Sequence, residues 1–156
     1  MSAPSRWLAR AGLVGLGGAV GALARVWLEE HLGAGIGFAP GVLVANLTGT
    51  FLIGATLALA SRLAPTSALR LRLLVATGVC GGLTTLSSLA LVLAQTAEAG
   101  SWVAALANAA LSLVGGVATF LVGRALALTL LARRPRHRAR RAHPRTEPAV
   151  EVCDEH

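Results

Sequence analysis

The chain has no lysine and no tyrosine, and only seven of its 156 residues are carboxylic acids. Charged residues make up 13%, about half the share of an ordinary soluble domain. A water-soluble fold of this length needs more polar surface than that. So few acids also exclude chemistry built on several acidic catalytic groups. The two cysteines, Cys80 and Cys153, lie in unlike surroundings, which argues against a disulfide framework. His137, His143 and His156 do not have metal-ligand spacing. The net charge of +7 suggests nucleic acid at first, but seven of the fourteen arginines crowd between Arg133 and Arg145. The basic balance belongs to a tail, and no nucleic-acid partner is expected.

What the chain has is apolar length: 54% of its residues are hydrophobic. No charge or histidine interrupts the 30 residues from Leu32 to Ser61, the 25 from Leu73 to Ala97, or the 25 from Ala99 to Gly123. An earlier run, Ala11 to Ala24, extends past Arg25 to Leu28. A bilayer core needs about 20 apolar helical residues. These runs predict an all-α membrane protein of four transmembrane helices within residues 1–132: TM1 6–28, TM2 40–62, TM3 71–96 and TM4 101–131. The rival reading of TM1 is a cleaved signal peptide, but the run ends in Arg25-Val26-Trp27, not at a small-residue cleavage site. Residues 133–156, rich in Arg, Pro, His and Glu, read as a disordered cytoplasmic tail. That tail is either a solvated stop or a ligand for anionic membrane lipid. Arg6, Arg10, Arg62, Arg70, Arg72 and the tail fall on one side, and Glu29, Glu30 and Glu98 on the other. Both termini are therefore expected in the cytoplasm.

Polar groups inside the runs carry the functional signal. Arg25 either reaches the outer interface or organises a polar site. No carboxylate is embedded, so a proton-coupled exporter lacks its titratable group. TM2 carries Asn46 with Thr48 and Thr50, and TM4 carries Asn108 and Ser112 on one face, then Thr119. Each could be an interhelical hydrogen-bonding group, or together they could form a polar track. TM3 is the unusual run: Gly78-Val-Cys-Gly81-Gly82-Leu-Thr84-Thr85-Leu86-Ser87-Ser88-Leu89. Adjacent glycines followed by two threonines predict a helix broken at mid-bilayer. Such a break survives only where protein or a polar cavity satisfies it, and its freed carbonyls can hold a cation.

At these residues the chain resembles the CrcB/Fluc fluoride channels. The resemblance rests on Gly17-Gly18-Ala-Val-Gly21-Ala-Leu-Ala-Arg25, on Val44-Ala-Asn46-Leu-Thr-Gly49-Thr-Phe51-Leu-Ile-Gly54, and on the TM3 segment. It implies an antiparallel dimer in a bacterial inner membrane that passively exports fluoride. It implies a structural sodium ion held by the backbone carbonyls of Gly81 and Thr84. Asn46 would be the pore amide, with Asn108 and Ser112 in the TM4 track. One departure is plain: where the family has two phenylalanines, this chain has Leu86 and Leu89. With the one-sided arginines, this suggests pairing with an oppositely oriented paralogue. The other classes are a small four-helix multidrug-type exporter and a non-conducting membrane subunit.

Overall fold

The computed structural model describes residues 3–33 and 39–132. The tail expected at 133–156 lies outside them. Among the described residues, four helical stretches are long and apolar enough to cross a membrane: Ser5–Leu32, Pro40–Ala60, Pro65–Glu98 and Trp102–Ala132. The chain is an all-α, multi-pass membrane protein.

Helix α1 (Ala3–Leu32) runs past the expected end at residue 28. Gly33 comes next with φ +86°, a left-handed conformation suited to a residue without Cβ. Gly100, at φ +81°, similarly ends the third stretch. Helix α2 (Pro40–Ala60) opens on a proline in its first turn, where the missing N–H costs no internal bond. The turn after Ala60 is short and ends at Pro65. That proline begins helix α3 (Pro65–Leu71), so the third stretch starts before residue 71. Next come a π-helical segment, Arg72–Val79, and the four-residue α4 (Cys80–Leu83). Thr84 (φ −81°, ψ 144°) and Thr85 (φ −145°, ψ 120°) are extended. Helix resumes as α5 (Leu86–Glu98), capped by Thr85 Oγ1 accepting from the Ser88 N–H at 3.1 Å. Helix α6 (Trp102–Ala132) is the last described element.

The helices pair through backbone, not through large side chains. A Cβ added at Gly17 would meet the Leu74 carbonyl, one at Gly21 the Val79 carbonyl, and one at Gly82 the Gly18 carbonyl. The rising register makes α1 parallel to the third stretch. Likewise Gly115 meets Leu47, Gly116 meets Thr50 and Gly54 meets the Phe120 carbonyl, a register that rises along both helices, so α2 and α6 run parallel. Apolar side chains gain little by leaving lipid for each other, so close backbone approach dominates. The largest fully buried side chains are accordingly Asn108, Thr96 and Cys80, while Leu86, Val103 and Leu113 point outward. Trp7 and Trp27, both exposed, are about 30 Å apart along α1, the thickness of a hydrocarbon core. Aromatic rings at that spacing suit the two membrane interfaces.

Candidate functional site

The site is built around the extended pair Thr84-Thr85. Asn46, on α2, docks its amide on the Thr85 main chain: Oδ1 accepts from the Thr85 N–H at 2.9 Å, and Nδ2 donates to the Thr85 carbonyl at 3.4 Å. A residue outside helix therefore has both backbone groups satisfied by one side chain. An amide fits this task because it carries a donor and an acceptor side by side. Close packing brings it there: Gly49, one turn on, leaves room for the Thr84 methyl.

This docking has a second effect. In an unbroken helix the Thr85 N–H would reach the Gly81 carbonyl and the Ser88 N–H the Thr84 carbonyl. Here the first donates to Asn46 Oδ1 and the second to Thr85 Oγ1. The Gly81 and Thr84 carbonyls are thereby released from their helical partners. Gly81 is exposed, with nothing within 4 Å of where its Cβ would lie. Neutral carbonyl oxygens of this kind suit a hard cation, so the residues present fit the ion that the resemblance implies. Thr84 Oγ1 donates to the Cys80 carbonyl at 2.9 Å, which fixes the side chain on the turn before the break.

Arg25 reaches the same region from α1. Its Nε donates to the Gly82 carbonyl at 3.3 Å, and a terminal nitrogen pairs with Glu29 Oε1 at 3.3 Å. The Gly82 carbonyl lies where the helix stops, so it too loses the donor that a continuing helix would supply, and the guanidinium takes that place.

Beside the extended pair lies a cavity of about 510 Å³, lined by Asn46, Thr50, Thr84, Thr85, Ser112 and Leu86 among others. Leu93 and Ala109 are shared with a neighbouring cavity of about 460 Å³ between α5 and α6, reaching Glu98 and Trp102. The Thr50 and Thr119 hydroxyls meet at 2.8 Å and bridge α2 to α6. Asn108 is 2% exposed, and among the described residues neither of its amide atoms has a hydrogen-bond partner; nor has Ser112 Oγ. Unpaired buried polar atoms are costly and mark this face of α6 as built for something polar.

The two leucines at the departure differ. Leu86 is 79% exposed, whereas Leu89 packs against Ala39, Val42 and Val92. Sequence reasoning treated them as equivalent. It also missed the Thr50–Thr119 bridge and the Gly82 carbonyl as the Arg25 partner, because neither contact can be deduced from spacing along one helix.

Comparison with known proteins agrees with this architecture. A family profile described as "CrcB-like protein, Camphor Resistance (CrcB)" matches residues 12–124. A protein of Sorangium cellulosum named "Fluoride-specific ion channel FluC" is 40% identical over 126 residues, covering 76% of this chain and 94% of its own. One of the same name from Leptospira interrogans serovar copenhageni is 35% identical over 113 residues, covering 71% and 88%. "Fluoride-specific ion channel FluC 1" of Yersinia pseudotuberculosis is 36% identical over 118 residues, covering 75% and 85%. With the profile spanning both the Asn46 helix and the Thr84-Thr85 interruption, the chain belongs to the CrcB family.

Proposed function

We propose that the chain is a subunit of a fluoride-specific channel that lets fluoride leave the cytoplasm passively and so lowers its toxicity. The reading is supported by relatives named as fluoride channels. The observation that carries it is the cavity where the Asn46 amide and the Thr50 and Ser112 hydroxyls converge beside the interrupted helix. Fluoride is small and strongly hydrated. A path for it must replace water with hydrogen-bond donors, and amide and hydroxyl groups do so without binding a permanent charge too tightly. Asn46, Asn108 and Ser112 are the residues assigned to that path. No bond is made or broken in the process.

The Thr84-Thr85 interruption falls near the middle of the Pro65–Glu98 stretch, which supports a mid-bilayer position for it. Two inverted copies crossing there would bring four carbonyls together, from Gly81 and Thr84 of each, around a sodium ion. Bound there, sodium would supply a fixed positive field favouring anions. Residues of this chain supply the rest: Asn46 holds the break open, and Arg25 secures the Gly82 end. The arginine side is assigned to the cytoplasm of a bacterial inner membrane.

Leu86 and Leu89 offer no positive ring edge to an anion, and a chain with one-sided arginines inserts in one orientation. The working assembly is therefore a heterodimer with an inverted paralogue that supplies the aromatic residues. Fluoride efflux from liposomes, monitored with a fluoride electrode, tests this. The co-expressed pair is expected to conduct and the lone chain to conduct little. Rapid, selective efflux from the lone chain would overturn the heterodimer, and none from the pair would favour the non-conducting subunit that the two leucines also suit.

A further inference from the structure

At the arginine-rich end, Arg72 of the π segment and Arg124 of α6 line one cavity of about 310 Å³, together with Ser61 after α2. The two guanidiniums come from different helices yet share one concave space. Among the described residues neither makes an ion pair or hydrogen bond, and the single ion pair there is Arg25–Glu29. Among the described residues, no carboxylate lines the cavity. Glu29, Glu30 and Glu98 lie at the ends of α1 and α5, on the opposite side of the protein. Both arginines are exposed, and two like charges lining one space, with no counter-charge among the described residues, attract an anion there.

The geometry points to the phosphate of an anionic phospholipid as the occupant, with Arg72 and Arg124 as its ligands. Three features favour this amphiphile over a bare halide. The guanidinium fork matches the paired oxygens of a phosphate. The remaining wall is apolar, formed by Leu57, Phe120 and Leu128, and suits the first carbons of an acyl chain. Arg124 lies about 33 Å along α6 from Trp102, so it meets the headgroup layer if Trp102 sits in the opposite interface. Basic pockets between transmembrane helices on the arginine-rich side hold such headgroups in general. A net negative headgroup is required, because the cationic group of a zwitterionic lipid would meet two arginines. The site stands whether or not the chain conducts.

The test uses the full chain purified in non-ionic detergent, with phosphatidylglycerol, phosphatidylcholine or inorganic phosphate added at equal concentration. Thermal unfolding and native mass spectrometry are the readouts. Phosphatidylglycerol is expected to raise the unfolding midpoint and remain as a bound adduct. Arg72→Gln with Arg124→Gln is expected to weaken its apparent affinity roughly tenfold or more, although the arginine tail is intact. If that double variant fails to fold, the separate Arg72→Lys and Arg124→Lys variants keep the charge but lose the fork, and each is expected to bind more weakly than the parent. Unchanged phosphatidylglycerol binding in the variants would overturn the site. Equal stabilisation by phosphatidylcholine would overturn the charge argument, and equal stabilisation by inorganic phosphate would make it a free-anion site.

Discussion

Asn46 shows how one side chain can have two tasks. It satisfies the Thr85 main chain with one donor and one acceptor, and its amide still has a second N–H and faces the cavity. Asn46→Leu removes all of this and strands two backbone groups, at about 1–3 kcal/mol for each buried group left unpaired. Fluoride efflux is expected to fall at least about tenfold and the unfolding midpoint to drop. Asn46→Asp keeps an acceptor for the Thr85 N–H but sets an oxygen against the Thr85 carbonyl and adds a negative charge, so both the midpoint and efflux are expected to fall. Equal conduction by the Asp variant would show that Asn46 is only a brace. That Asn46 needed partners was legible in the sequence, because an amide in hydrocarbon cannot stay unsatisfied. Its partner was not legible, since that depends on how α2 packs against residues 39 positions away. Leu86 and Leu89 carry the same lesson: three residues apart, they line one cavity, yet only Leu89 also packs into the core.

Among the elements, the last three spans were legible from uncharged runs alone, because a bilayer disfavours charge over a fixed length, and the first only by reading on past Arg25. Their ends were less so. Charge patterning cannot see that Pro65 starts a helix or that Gly33 stops one. The π-helical segment was invisible as well, since hydrophobic spacing does not distinguish a widened turn from an α-turn over eight residues. That segment sets the rotation of α4 about its axis. Deleting Ala76 is expected to turn Gly82 about 100° away from α1 and to abolish folding, measured by loss of a monodisperse species in detergent. The glycines offer a sharper contrast. Gly82→Val forces a side chain onto the Gly18 carbonyl, and destabilisation of about 1–3 kcal/mol is expected. Gly81→Val meets nothing in its own chain. Its folding is expected to survive while assembly with a second subunit fails, a difference that thermal unfolding and cross-linking separate.

For the molecule as a whole, the separation of an arginine end from an acidic end was legible from where the charges interrupt the apolar runs. How Arg72 and Arg124 come to share a cavity was not, because it requires the π segment, α6 and the end of α2 to be placed together. If the leucines are what silence a lone chain, then Leu86→Phe with Leu89→Phe is expected to raise efflux from a lone-chain preparation whose orientation is made mixed by reconstitution. No gain over the parent would place the defect elsewhere. The backbone-to-backbone packing also inverts the usual map of mutational tolerance. In a water-soluble protein the outside accepts most polar exchanges and the large interior residues resist trimming. Here Val103, Leu113 and other outward positions would accept almost any greasy replacement and reject charge. The intolerant positions would be the smallest ones, where a single methyl group is already too much.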